Sequence, residues 1–371
     1  MTFTIPLIKP HISERDITRV VEVLKTGYLT EGAVTRAFEQ AVATYVGVDE
    51  AVAFTSWTTG AETVLRALGI GPGDEVIVPD YTHPATVEVV MLVGATPVLV
   101  DCDPSTANID YTTLETACTE KTKAILPVSL FGNPLDYTLL NKLKERFGFL
   151  IIEDAACSLG ATFHGKAVGS LADVSIFSLH PRKFITTGEG GMVTTNDKCL
   201  AAFLRSYKNF GMEGATARRS SQFVRVGTNY KMSDILAALG LSQMERIEEL
   251  LSRRRQLAER YRTLLRGLPG VSLPIIASGA ESSWQSFTIR LAKRDHVLTT
   301  LRSQGIEVQI GTFALHEQPA FKHLRRASSL AGSSRLFNEC LSLPLYHSMT
   351  LDEQERVVTA LKKALANEGD S

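Results

Sequence analysis

Lys183 is the side chain with the most chemistry to offer. It lies two positions after Pro181 and just ahead of Thr186-Thr187-Gly188-Glu189-Gly190-Gly191. Pro181 fixes its own φ and removes a donor, which disfavours a helix there. The glycines at 188, 190 and 191 let the backbone fold back sharply. Short β-prone runs flank the loop, Val174 to Phe177 before it and Gly191 to Thr195 after it. The expected arrangement is strand, tight polar loop, strand, with the lysine on a rigid loop rather than a solvated helix face. That placement suits an amine that must lose its proton and meet a carbonyl carbon, as a Schiff-base lysine does. An ordinary surface lysine beside a turn is the competing reading.

Asp154 weighs against the ordinary reading. Ile151-Ile152-Glu153-Asp154 is an apolar run that ends in two carboxylates. In an open α/β sheet, ligands bind beyond the carboxyl ends of the strands. A carboxylate at that position can hold a protonated pyridine nitrogen, although Asp after a strand also makes a good helix N-cap. A Schiff-base lysine with an acidic partner for a pyridine nitrogen is the pairing used by pyridoxal phosphate enzymes. Phosphate calls for backbone donors and hydroxyls at a helix N-terminus. Thr55-Ser56-Trp57-Thr58-Thr59-Gly60, at the junction of a strand and a helix, offers them.

These residues need a scaffold that brings strand ends together. Seven β-prone runs recur at Ala51–Phe54, Glu75–Val78, Pro97–Val100, Ala124–Val128, Phe149–Ile152, Val174–Phe177 and Gly191–Thr195. Helical patterns lie between most of the first five, which predicts a mostly parallel sheet covered on both faces. The Gly-rich return before Gly191 suits a reversed strand. Ser13-Glu14-Arg15-Asp16 opens a helix that runs to about Lys25. A long helical pattern from Ser233 to about Leu268 would carry the chain into a second domain. Its charged stretch, Met244–Arg260, interleaves both signs and reads as a solvated helix face. Strands near Trp284–Leu291 and Ile306–Ile310 and helices near Asp295–Ser303, Ser333–Cys340 and Leu351–Asn367 complete it. The expected division is a large α/β domain over 33–245 and a small α+β domain from 1–32 with 246–371.

FGNP, EDAACSLGA, GKAVGS, FSLHPRK, GEGGMVTTND and GTNYKMSDI closely resemble the DegT/DnrJ/EryC1/StrS family, in the family's order and spacing. The resemblance runs from about Ile5 to the C-terminal helix. It implies the fold type I architecture of pyridoxal-phosphate-dependent sugar aminotransferases, with a large, mostly parallel seven-stranded sheet and a smaller α+β domain. It also implies L-glutamate or L-glutamine as amino donor, a keto-sugar acceptor, in most members nucleotide-linked, and a homodimer with a shared active site.

The resemblance assigns further residues. Thr58 stands at the threonine of the family's phosphate loop, and Trp57 replaces its usual glycine. Ser178 matches a phosphate-binding hydroxyl. His83 stands where the family places an aromatic residue over the cofactor ring. Cys157 replaces a polar residue near the cofactor hydroxyl, and a small apolar thiol is the competing reading. Asn229 matches an asparagine that reaches the neighbouring subunit's phosphate, and Lys231 replaces the arginine that usually follows. Tyr28, His180 and His316 match positions near the substrate, each with a structural role as the alternative.

Composition bounds the rest. The chain has 371 residues, a net charge of −1 and 44% hydrophobic residues. Nothing there favours nucleic acid or an anionic membrane. The five cysteines form no CxxC pair and fit a reducing cytoplasm. The opening MTFTIPLIKPHIS does not read as a signal peptide, and no stretch approaches the ~18 apolar residues of a membrane span. No metal-binding motif is present. Rival readings are an unactivated keto-sugar such as a keto-octulosonate or inosose as acceptor, and a non-catalytic regulatory protein that binds the cofactor. A sugar dehydratase of the same fold would carry histidine at Lys183, and a lyase or desulfurase would need a reactive cysteine on a mobile loop.

Overall fold

The computed structural model describes residues 3–213 and 221–366, so Asn367, the expected end of the last helix, lies outside the described residues. One large sheet dominates. In spatial order its strands are Glu50–Phe54, Gly191–Thr195, Val174–Ser178, Leu150–Asp154, Thr122–Ile125, Glu75–Pro79, Thr96–Val100 and Arg325–Arg326. All pairs are parallel except those made by Gly191–Thr195, which runs against both neighbours. The seven strands read from the sequence are all present, each within three residues of its expected ends. The eighth, Arg325–Arg326, is a two-residue addition at the edge, too short to carry a periodicity, and Arg325 is ion-paired with Glu75.

Alternate residues of each strand feed opposite cores, the period of two that a pleated strand imposes. Val52, Phe54, Val76, Val78 and Ile176 face the helices Trp57–Ala67, Ala85–Leu92 and Lys198–Tyr207. Ala51, Ala53, Ile77, Ile151 and Phe177 face Ala33–Val46, Tyr111–Ala117, Tyr137–Phe147 and Asp234–Met244. Burial on both faces explains why the strands read as unbroken apolar runs.

The helical pattern from Ser233 onward is two helices, Asp234–Met244 and Ile247–Leu265. The break falls at Glu245-Arg246. There the Arg246 guanidinium turns back to Asp16 at 2.6 Å and to the His11 carbonyl at 3.1 Å. The second helix leaves the large core at Leu250 and enters a separate one at Leu257. That second core also holds Tyr261, Phe287, Leu341, Val357 and Ile5. Its sheet is antiparallel, in the order Val271–Ser272, Phe287–Leu291, Cys340–Leu343, Gln309–Ile310. Cys340–Leu343 was not expected as a strand; its apolar run is too short to show a period.

The seam differs from a cut at residue 245. Leu315, Phe321 and Leu330 pack into the large core although the sequence places them with the small domain. The N-terminal helix Glu14–Thr26 is tied to the large domain through Asp16 and Arg246, while Ile5 sits in the small one.

Arg254, on the long helix, holds the seam from inside. It is only 4% exposed. Its guanidinium donates to the carbonyls of Trp284 (2.6 Å), Gln285 (2.8 Å) and Leu345 (3.3 Å). Burial pushes its pKa down to about 10. Arg254→Met would leave those three buried acceptors bare. The expected loss is about 3 kcal/mol, read as a lower denaturant midpoint.

Candidate active site

The carboxyl ends of the parallel strands open into a cleft of about 540 Å3. Eight of the predicted residues line it: Trp57, Thr58, His83, Asp154, Cys157, Ser178, His180 and Lys183.

Asp154 ends its strand in the floor of the cleft and is 4% exposed. One oxygen accepts from the Thr86 hydroxyl at 2.9 Å and the other from the Ala156 N–H at 3.1 Å. Burial raises its pKa to about 6, against the pull of those two bonds and of the Lys183 charge. The pleat sends Glu153 the opposite way, into the core, where the hydroxyls of Ser129, Tyr137 and Ser175 surround it. The paired carboxylates of the sequence thus have separate environments, one structural and one facing the cleft.

Lys183 stands on a tight turn closed by its own N–H to the His180 carbonyl at 2.8 Å. Its ammonium lies 3.2 Å from the Cys157 sulfur. His83 and His180 flank it. In each ring Nδ1 accepts a main-chain N–H at 3.2 Å, from Ala85 and Arg182 respectively. Burial lowers the pKa of both rings; the Lys183 and Arg182 charges lower them further, while the Glu189 carboxylate opposes this at His180. With Nδ1 accepting, the neutral form of either ring carries its proton on Nε2.

At the other end, Trp57 opens the helix Trp57–Ala67 with Ser56 as N-cap, whose side chain accepts from the Thr59 N–H. The indole is buried, and its Nε1–H donates to the Ile176 carbonyl at 3.0 Å. Trp57 is absent from the positive-φ residues, so replacing glycine there strains nothing. What the position offers the cleft is its main-chain N–H. Together with that of Thr58, it belongs to the first turn, whose donors lack intrahelical partners. The loop comes close to the strand Gly191–Thr195. A Cβ on Gly191 would lie 2.7 Å from the Trp57 nitrogen and closer still to the Ser56 carbonyl. Gly191→Ala is therefore expected to push the N-cap away and weaken cofactor retention at least about tenfold, measured by equilibrium dialysis.

Four predicted residues lie outside this chain's cleft. Tyr28 is 83% exposed. Asn229 is exposed, and its Oδ1 accepts from Lys231 Nζ at 2.7 Å, with that ammonium 4.5 Å from the Phe210 ring centre. His316 is buried, with Nδ1 2.6 Å from Asp80 Oδ2 and Nε2 3.2 Å from Ser334 Oγ. Both of its ring nitrogens are spent on structure.

Three residues that sequence reading passed over also matter. Thr86, in the first turn of the helix Ala85–Leu92, bonds Asp154, and Thr82 in the short strand just before it gives Thr86 a hydroxyl partner at 3.0 Å. Arg182 lines the cleft and adds positive charge at its mouth. Gln285 comes from the far side of the domain seam, and no local pattern could have pointed to it.

The profile of the DegT/DnrJ/EryC1/StrS aminotransferase family matches residues 10–362. The chain belongs to that family. It is 39% identical to the GDP-perosamine synthase of Caulobacter vibrioides, over 97% of this chain and 98% of that one. It is 36% identical to the UDP-4-amino-4-deoxy-L-arabinose–oxoglutarate aminotransferase of Shewanella sediminis, over 98% of each. A Streptococcus pneumoniae protein solved in a PLP form superposes with a TM-score of 0.92, at 30% identity over 99% of each chain. The protein is thus a sugar aminotransferase and depends on pyridoxal phosphate.

The cleft of this aminotransferase fits that cofactor by its donor set. N–H groups and hydroxyls at Trp57, Thr58 and Ser178 suit a phosphate dianion. A buried carboxylate suits a protonated ring nitrogen, and an amine on a rigid turn shares the cleft with both. Among the described residues no cluster of three or more His, Cys, Asp or Glu is arranged to hold a metal, and no helix is long and apolar enough to cross a membrane.

Proposed function

We propose that the enzyme moves an amino group from L-glutamate to a keto-sugar carried on a nucleoside diphosphate, in two half-reactions. The observation that carries the acceptor class is the pair of relatives above. Both names place the amino sugar on a nucleoside diphosphate. The second also names oxoglutarate, the keto acid that L-glutamate becomes when it gives up its amino group.

Bound pyridoxal phosphate supplies an aldehyde carbon and an electron-withdrawing ring that takes up the electrons of a broken C–H bond. The chain's residues do the rest. Lys183 would hold the cofactor through its aldehyde carbon. Its free amine would be the base that takes a proton from the donor's α-carbon and gives it back to the neighbouring carbon. Asp154, oriented by Thr86 and the Ala156 N–H, keeps the ring nitrogen protonated. Trp57 and Thr58 grip the phosphate with main-chain N–H groups and Ser178 with its hydroxyl. His83 would lie against the ring, and Cys157 sits beside the Lys183 amine. His180 contacts the sugar. The working form is a cytoplasmic homodimer, in which Asn229 would reach the phosphate in the partner's cleft and Tyr28 and Lys231 would contact substrate.

The test is the second half-reaction. Enzyme pre-reduced with L-glutamate is mixed with a GDP- or UDP-linked 4-keto-sugar or with the same sugar free. Return of the visible cofactor band at least about 100-fold faster with the nucleotide-linked sugar is expected. Equal rates, or a preference for the free sugar, would remove the nucleotide from the proposal.

A further inference from the structure

Gln285 is 4% exposed and lines the cleft, yet it enters from the segment that leads into the small domain. Its side-chain amide spans Lys183. Nε2 donates to the Arg182 carbonyl at 2.6 Å, and Oε1 accepts the Phe184 N–H at 3.3 Å. One amide group therefore closes on the peptide groups immediately before and after Lys183. The flanking stretch of Gln285 is fixed in turn. Arg254 holds the Trp284 and Gln285 carbonyls, Ser282 Oγ and the Ser283 N–H both donate to the Gly132 carbonyl, and Ser283 Oγ donates to the Cys157 carbonyl at 3.0 Å. Trp284 is held at φ 52°, a conformation a bulky residue adopts only when its surroundings impose it.

We propose that Gln285 is a positioning residue for the reaction: its amide fixes the main chain on both sides of Lys183 and so aims the amine. The physical need is clear. The proton moved by Lys183 travels between two carbons, and a misplacement of about 1 Å costs on the order of 100-fold in rate. The Lys183 turn carries Pro181 before the lysine and glycines after it; besides its bonds to the His180 carbonyl and ring, its main chain on either side of the lysine is tied to Gln285. A side chain anchored in the rigid seam supplies the stiffness that a loop lacks. The same route makes the small domain's seating part of the lysine's geometry, because Gln285 moves with the segment that Arg254 grips.

The test uses holoenzyme carrying Gln285→Glu or Gln285→Leu. The rate at which L-glutamate removes the visible cofactor band is followed from about pH 5 to about pH 8.5. Gln285→Leu is expected to be at least about tenfold slow at every pH. Gln285→Glu keeps the shape and the acceptor for Phe184. As a carboxylate it loses the donor for the Arg182 carbonyl; as a carboxylic acid it regains it. Burial raises such a group above its ordinary value of about 4.3, so the acid form lies within reach. The ratio of Gln285→Glu to wild type should therefore rise at least about tenfold as pH falls, a signature that mere loss of packing does not produce. Amide hydrogen exchange at Phe184 in cofactor-free protein gives a second readout, expected to accelerate at least about tenfold in Gln285→Leu. A pH-independent ratio for Gln285→Glu, or wild-type rates in both variants, would overturn the proposal. Since the proposal rests on Lys183 as the reacting amine, Lys183→Ala is run alongside. Glutamate-driven loss of the band in that variant would point to a failure of the lysine assignment and not of Gln285.

Discussion

Lys183→Ala is expected to lower the rate of amino transfer by at least about 10^4-fold, the upper range for loss of a positioned acid–base group. Three features of the site set that scale. The lysine is the only amine among the cleft-lining residues described. It stands on a turn closed at 2.8 Å and is braced on both sides by Gln285, so no neighbouring lysine can move into its place. The nearest alternative bases, His83 and His180, have Nδ1 committed to main-chain N–H groups and pKa values lowered by burial and by positive charge. Removing Lys183 should also raise those two histidine pKa values, since its charge is one cause of their depression. The variant should fold, because the lysine is half-buried and its side chain meets only the Cys157 sulfur among the described hydrogen bonds. A circular dichroism melt within a few degrees of wild type, together with stopped turnover, is the expected pair of results. Turnover within tenfold of wild type would remove Lys183 from the mechanism.

Asp154→Asn is expected to act in opposite directions on turnover and stability. Asparagine can keep the Ala156 N–H and the Thr86 hydroxyl as partners, but it cannot carry the charge that holds a ring nitrogen protonated. Loss of one preorganised electrostatic contact of this kind costs about 100-fold or more in kcat. The stability effect follows from the pKa of about 6 against 3.8 for the ordinary group. The folded chain binds this proton more tightly than the unfolded chain does. The carboxyl therefore contributes its full stability below about pH 4 and loses it as pH rises through about 6. Above that, the ionised, buried carboxylate opposes folding by up to about 3 kcal/mol. Cofactor-free Asp154→Asn should match wild type in urea near pH 4 and exceed its stability near pH 8. A variant less stable than wild type near pH 8 would mean that the carboxylate is better satisfied in the empty cleft than its neighbours suggest.

Much of this architecture is legible in the sequence because the large sheet is buried on both faces. Runs such as Val76-Ile77-Val78 have no polar residue to blur them, and their bounds fall close to the observed strands. The place of Lys183 and Asp154 in the cleft is legible for a related reason: Asp154 ends one strand and Lys183 stands in the turn that follows another, where the chemistry is local. Pieces whose geometry depends on distant partners are not legible. Arg246 breaks a helical pattern because it meets Asp16, 230 residues away. Gln285 reaches the Lys183 turn across 101 residues. His316 stands in a stretch that resembles a family motif, and only the fold brings Asp80, 236 residues away, to its ring. Trp57 shows the limit in the other direction. It replaces the family's usual glycine, and no local pattern tells that its indole turns inward to the Ile176 carbonyl.

The central claim, that Lys183 and Asp154 serve an amino transfer that begins with L-glutamate, is tested most directly by one absorbance titration. Purified holoenzyme is scanned before and after addition of L-glutamate, without acceptor. The visible cofactor band should give way to a near-ultraviolet band in proportion to enzyme, with one oxoglutarate released per site. A visible band unchanged by saturating L-glutamate and by L-glutamine would contradict the account.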